Sequence, residues 1–237
     1  MMRQRKTYLL RFIWLAVVVS LVVSADTASG DALDSVIVNI QKSYDAIKDF
    51  KAQFVQESVV KSWNAQQVQK AEGIVCFKKQ GKMFWDYQSP TPQQIISNGK
   101  MLWFFEPEDE QVTVTEVTDG LQSQISADLL NGKAQLTRDF RVTAITKEED
   151  LQTGTIVLEL IPRASQNNLS RIIMRINSEN FRIYQTEVYD LFENLTRITF
   201  SKIQIDTNLN DSLFTFTPPP GVEILSPPTV PLPRRLG

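Results

Sequence analysis

Residues 73–90 read GIVCFKKQGKMFWDYQSP. Val75, Phe77 and Lys79 share one face at period two, and after Gly81 so do Met83, Trp85 and Tyr87, while Lys82, Phe84 and Asp86 point away. Alternation on both sides of a glycine turn predicts an antiparallel hairpin whose inner face carries wide aromatic rings. Just downstream, residues 98–112 read NGKMLWFFEPEDEQV, with Leu102, Trp103, Phe104 and Phe105 in succession between turns at Asn98-Gly99 and Pro107. A half-buried strand has one wet face and one dry; here both are apolar, so each needs a cover. Met101, Trp103 and Phe105, or the alternates Leu102 and Phe104, extend the aromatic face of the first hairpin.

Strand-like segments continue outward from these hairpins, near 67–79, 82–88, 92–98, 101–106, 110–117, 138–146, 154–161, 169–177, 181–188, 194–205 and 213–217. Gly81, Pro90, Pro92, Asn98-Gly99, Pro107 and Asn177 punctuate them as turns. An earlier strand puts Phe50, Ala52, Phe54 and Gln56 on one face and Lys51, Gln53, Val55 and Glu57 on the other. About eleven or twelve consecutive antiparallel strands predict one curled sheet or barrel, with no internal repeat. Before them, Leu33, Val36, Ile37, Ile40, Tyr44 and Ile47 recur at spacings of three and four, which predicts one amphipathic helix over residues 31–48 with Asp31 as its N-cap. The alternation stops over residues 121–140, where SADLLNGKAQLTRDF predicts one or two short helices placed to lie across the mouth of the sheet. Seven of the eleven prolines lie from Pro218 to Pro233, so the end of the chain reads as extended and mobile.

Arg3, Arg5, Lys6 and Arg11 precede an apolar run from Phe12 to Val23 and the small residues Ser24 and Ala25. This is the pattern of a secretory signal peptide over residues 1–25, the run being short against the roughly 20 residues needed to span a bilayer. The expected mature domain is 26–225, with a proline-rich tail at 226–237. Removing the leader takes four positive charges and no negative ones, moving the formal net charge from −2 to −6. A mildly acidic exported protein is a poor partner for nucleic acid. Its single cysteine, Cys76, excludes an internal disulfide and lies far from the leader, so it is not the lipid-bearing first residue of a mature lipoprotein. The product is expected to be soluble after export.

Catalytic readings fare badly. The absence of histidine removes the commonest general base, the usual nucleophile triads and the usual zinc ligands together. Glu106, Glu108, Asp109 and Glu110 form an acidic knot that reads as a solvated hairpin turn. Asp206, Asn208 and Asn210 resemble the opening of a calcium loop, but Asp211 stands where its glycine belongs and Thr217 where its glutamate belongs. No phosphate loop, Cys-x-x-Cys pair or Gly-x-Ser-x-Gly elbow occurs, and no cofactor or metal is expected. The aromatic face therefore has two readings, a filled core or a cavity that takes an apolar ligand under the short helices, and periodicity does not choose between them.

Several stretches, in order, resemble the LolA family of periplasmic lipoprotein carriers. They are Phe50 through Gln56 (FKAQFVQ), Gly73 with VCFKKQGKMFWDYQSP, then NGKMLWFFEPEDEQV, Leu129-Leu130 with Gly132, Leu136 and Phe140, then LIPRA, and FTFTPPPGVEI ending at Ile224. The resemblance implies an open, incomplete antiparallel β-barrel, with an N-terminal helix and short lid helices over an apolar concave face. It implies a non-enzymatic, monomeric periplasmic chaperone. Such a chaperone takes triacylated lipoproteins from an inner-membrane ABC-type release complex, shields their acyl chains, and passes them to an outer-membrane acceptor lipoprotein, LolB-like or equivalent. On this pattern Phe54, Phe77, Met83, Trp85, Tyr87, Trp103 and Phe105 would line the acyl-chain site, with Leu129, Leu130 and Leu136 in the lid. Lys79 matches a position where the best-known members carry an arginine that ties the lid shut; a lysine there is either a latch or a solvated strand end. Carriage of another amphiphile, such as a glycolipid or free lipid, and a lipoprotein-sensing or assembly role are the alternatives.

Overall fold

The computed structural model describes residues 25–62, 65–117, 136–164 and 168–226. Helix α1 (Ala25–Ala46) leads into β1 (Asp49–Ser62), β2 (Ala65–Lys78), β3 (Lys82–Ser89), β4 (Gln93–Asn98), β5 (Met101–Glu106) and β6 (Gln111–Glu116). After a short helix α2 (Leu136–Asp139) come β7 (Phe140–Ala144), helix α3 (Glu148–Gln152), β8 (Thr155–Pro162), β9 (Arg171–Asn177), β10 (Ile183–Tyr189) and β11 (Leu195–Ile205). A 3-10 turn at Asp211–Phe214 and strand β12 (Glu223–Leu225) follow.

All twelve strands join one open sheet in the order β12-β6-β5-β4-β3-β2-β1-β11-β10-β9-β8-β7. Two meanders, β1–β6 and β7–β11, are sealed at the centre where β1 pairs antiparallel with β11. The chain leaves the first meander near one edge and re-enters at β7, the other edge. Each turn has a local cause. Between β4 and β5, Asn98 Oδ1 accepts from Lys100 N and Met101 N at 2.9 and 2.8 Å, and Gly99 takes φ +90°, where an added Cβ would meet Gln80 O at 2.1 Å. Only glycine fits both constraints. The acidic knot of Glu108, Asp109 and Glu110 occupies the exposed β5–β6 turn, as its composition predicts.

Helix α1 buries the face predicted for it. Ile37, Ile40 and Tyr44 are buried against the sheet, and Leu33, Val36 and Ile47 pack beside them. The helix starts before Asp31, which is therefore an interior residue and not the N-cap; the good helix formers Ala25, Ala28 and Ala32, with no proline among them, let the backbone run on. The Tyr44 phenol accepts from Ile183 N at 3.0 Å, and Ser43 Oγ donates to Asn180 O at 3.2 Å, which ties the helix to the β9–β10 turn. Burial pushes the Tyr44 phenol up to about 12, against the opposing pull of the Ile183 N–H and the Arg182 charge.

The strand expected at 213–217 is absent. Phe214 and Phe216 alternate as a strand would, but the 3-10 turn takes up Phe214, Asn210 caps that turn by accepting from Ser212 N at 3.0 Å, and the ladder resumes only at β12. There Glu223, Ile224 and Leu225 pair parallel with Gln111, Val112 and Thr113 of β6, so part of the proline-rich end is ordered on the sheet. Helix α3, which has no apolar period in five residues, was invisible to the sequence; it lies against β8, and Arg175 of β9 reaches its Asp150 at 3.1 Å.

Candidate apolar binding face

Cross-strand register sorts the sheet into two faces. One row runs Tyr87, Gly73, Phe54, Phe200, and the next runs Phe104, Ile95, Trp85, Val75, Ala52. A third links Met83, Phe77 and Phe50. Apart from Gly73 and the half-buried Phe104, these residues and α1 share one hydrophobic cluster, to which Leu102, Leu136 and Phe140 also belong. This is the concave face, and small residues shape it. Gly73 stands between Phe54 and Tyr87, and because it has no side chain the two rings meet across two strands with centroids 4.9 Å apart. Ala52, in the row of Trp85, does the same for the indole.

The rings form a continuous group. Phe54 meets Trp85 edge-on at 4.8 Å, Phe77 meets Trp85 at 5.8 Å, and Phe50 touches both Phe77 and Phe200 at 5.9 Å. Edge-to-face pairs of this kind stabilise by about 0.5–1.5 kcal/mol each beyond area burial. Phe54, Phe77, Met83 and Trp85 are all buried, and Tyr87 is half-buried at the margin, its hydroxyl donating to Gln56 Oε1 at 3.0 Å. Burial pushes the Tyr87 phenol up to about 12. From β3 across to β9 the inward positions in these rows and the rows beside them carry no charged side chain. An uncharged, ring-lined surface of this width can hold hydrocarbon and excludes ionic ligands.

Trp103 and Phe105 do not belong to it. Trp103 pairs with Ile96 and Val114, and Phe105 with Gln94 and Val112, which places both on the convex face. Leu102 and Phe104 are the members of the apolar run that face inward. The convex side has its own cover: the segment after β11 crosses it, with Phe216 against Phe105 at 5.0 Å and Phe214, Val112 and Ile96 buried. Asp49 directs that crossing. Its carboxylate accepts from Thr207 N at 2.8 Å, Thr207 Oγ1 at 3.0 Å and Leu209 N at 3.2 Å, while Lys78 and Lys82 hold Asp211 at 2.6 and 3.0 Å. Cys76, paired in register with Lys51 and Phe84, is buried on this same side.

Lys79 sits in the turn after β2, exposed, with Nζ donating to the Asp45 carbonyl at 2.5 Å. Asp45 lies in the last turn of α1, where carbonyls lack intrahelical partners and a cation is favoured. The lysine thus fastens α1 to the β2–β3 turn. Of the three lid leucines, Leu136 is buried on the concave face from α2, and Leu129 and Leu130 lie outside the described residues. Sequence reasoning missed Phe200 as a neighbour of Phe54 because β1 and β11 are separated by most of the chain. Phe50 was within reach, since it shares the alternating face of Phe54.

Comparison with known proteins agrees with this architecture. The family model for the outer membrane lipoprotein carrier protein LolA matches residues 45–217. An outer-membrane lipoprotein carrier protein of Nitrosomonas europaea is 34% identical over 176 residues, covering 74% of this chain and 82% of the relative. One from Methylobacillus flagellatus is 25% identical over 216 residues, covering 91% and 99%. Among solved structures, an uncharacterized conserved protein from Thermus thermophilus superposes with a TM-score of 0.51 at 11% identity, over 82% of this chain and 99% of that one, a likeness of fold alone. With a family match that spans α1's end through the 3-10 turn, and therefore nearly the whole sheet, the chain belongs to the LolA family of outer membrane lipoprotein carrier proteins.

Proposed function

We propose that the protein is a periplasmic chaperone that binds the acyl chains of lipoproteins released from the inner membrane and carries them to an outer-membrane acceptor. The observation that carries this reading is the uncharged aromatic face under α1, in a chain of the LolA family. Phe54, Phe77, Met83, Trp85 and Tyr87 are the proposed acyl contacts, with Leu102 and Phe104 in place of Trp103 and Phe105. Residues 1–25 are proposed as a cleaved signal peptide, which leaves α1 at the start of the mature chain.

The energetics set what such a face has to do. Each buried CH₂ is worth about 0.8 kcal/mol, so an anchor with three long chains represents on the order of tens of kcal/mol against water. A carrier has to offset most of that and still release its cargo, which imperfect contacts permit and close packing does not. In the cargo-free state the face is occupied by the protein's own groups, α1 and Leu136, and acyl chains would exchange with them. The sequence holds no phosphate loop, so the energy for loading would come from an ABC-type membrane partner.

The test uses spheroplasts that retain newly made triacylated lipoproteins. Adding the mature protein should release them as a soluble complex with it. If nothing is released under conditions where a known carrier succeeds, the amphiphile-carrier and lipoprotein-sensor readings take precedence.

A further inference from the structure

The concave face is not uniformly apolar along its length. Phe50, Phe77 and Phe200 lie toward one end, whereas toward the other the inward positions of β1 and β11 are Gln56, Ser58 and Thr196, with Tyr87 donating to Gln56 and Gln56 Nε2 donating to Ser58 Oγ at 3.3 Å; the row of Ser58 and Thr196 turns apolar again at Val188 and Ile172. Thr186 stands at the boundary between this polar patch and the apolar positions of β9 and β10. It pairs with Ile198 on one side and Met174 on the other, in the row that begins at Gln56, and is 2% exposed. Its Oγ1 is buried with no hydrogen-bond partner among the described residues. A valine has the same shape and no polar atom to strand, so a filled core at this position is better served by valine. Stranded hydroxyls of this kind call for a ligand or a role.

We propose that the Thr186 hydroxyl donates a hydrogen bond to the carbonyl of an acyl ester, fixing the polar junction of the lipid at the boundary while its chains extend toward Phe54 and Phe200. The inference rests on the acyl-binding reading above and adds to it a preference for acyl esters over plain hydrocarbon. Ester carbonyls of this sort occur in the diacylglyceryl group of a lipoprotein and in free glycerolipid alike.

An apolar fluorescent probe bound to the mature protein is displaced in turn by 1,2-dioctanoylglycerol, by its 1,2-dioctyl ether, which lacks both carbonyls, and by a synthetic S-diacylglyceryl-cysteine peptide. Wild type should prefer the ester to the ether by about fivefold. Thr186→Val should abolish that preference and Thr186→Ser retain it, while the Tm of Thr186→Val stays level or rises by up to about 5 °C. Parallel loss for the peptide assigns the contact to lipoprotein, and loss for the glyceride alone assigns it to free glycerolipid. Equal displacement by ester and ether in wild type, or an ester preference that survives Thr186→Val, overturns the proposal and leaves acyl binding standing. So does a fall in the Tm of Thr186→Val, since it reveals a partner already present. Displacement by none of the three overturns the acyl-binding reading together with it.

Discussion

Replacing Gly73 by alanine puts the aromatic face itself on trial. The added methyl would lie 1.9 Å from the Asp86 carbonyl oxygen, 2.9 Å from its carbon and 3.0 Å from Tyr87 Cα. All three are backbone atoms, so no side-chain rotation relieves the clash. β2 and β3 have to part by about 1 Å at the irregularity between Glu72 and Gly73, enough to break ladder bonds that are ordinarily about 2.9 Å long. Losing roughly two such bonds costs about 1–3 kcal/mol, and overpacking about 1–3 more, which gives about 4 kcal/mol in all. At about 2–4 °C per kcal/mol for a domain of this size, Tm falls by about 8–16 °C. The same displacement pulls Tyr87 off Phe54, so near-ultraviolet circular dichroism, read alongside urea denaturation, should lose aromatic signal in the folded variant. A destabilisation below about 1 kcal/mol, or a large one with the aromatic signal intact, refutes the argument that this glycine brings the rings together.

Other predictions follow from the two covers of the sheet. A double-mutant cycle on Phe105→Ala and Phe216→Ala should show coupling of about 0.5–1.5 kcal/mol in urea denaturation with acyl binding unchanged; zero coupling, or a selective loss of binding, contradicts the convex assignment. Burial raises the Asp49 carboxyl, but the N–H groups of Thr207 and Leu209 and the Thr207 hydroxyl outweigh it and hold the group below its ordinary 3.8. A carboxylate lowered in the folded state contributes stability that is complete above its unfolded pKa and lost as pH falls through the folded one. Urea stability should therefore decline from about pH 4–5 downward, and Asp49→Asn, weaker at pH 7, should flatten that acid limb; an unchanged acid limb counts against the role given to Asp49. Lys79→Met should loosen the C-terminal turn of α1 by about 0.5–1 kcal/mol, seen as faster amide exchange there, with Lys79→Arg restoring protection. Unchanged exchange would make the Asp45 contact incidental.

The strand-rich architecture was legible because period-two alternation and turn residues persist through almost the whole chain, and because α1 shows a clean 3.6 period over Leu33, Ile37, Ile40 and Tyr44. What local pattern could not settle was parity in the run from Leu102 to Phe105. Both faces there are apolar and at least partly covered, so alternation carries no information about which side is concave, and the deciding fact is the β3–β4–β5 register with Trp85, Ile95 and Phe104 in one row. The second cover comes from Phe214 and Phe216, a long way down the chain, whose alternation imitates a strand while serving convex packing. β12 was hidden for a related reason: its three residues follow a proline triplet, and only the adjacent edge of β6 makes them a strand. Thr186 looked like any β-branched strand residue until burial exposed its unmet hydroxyl.

Acyl chains are proposed to contact the concave face and only that face. A photo-crosslinking benzoylphenylalanine placed at Tyr87, and separately at Phe105, tests this when each variant is loaded with lipoprotein from spheroplasts and irradiated. Crosslinks to the lipid moiety are expected from position 87 and none from position 105. Crosslinks from position 105, or a loaded complex with none from position 87, would contradict that assignment.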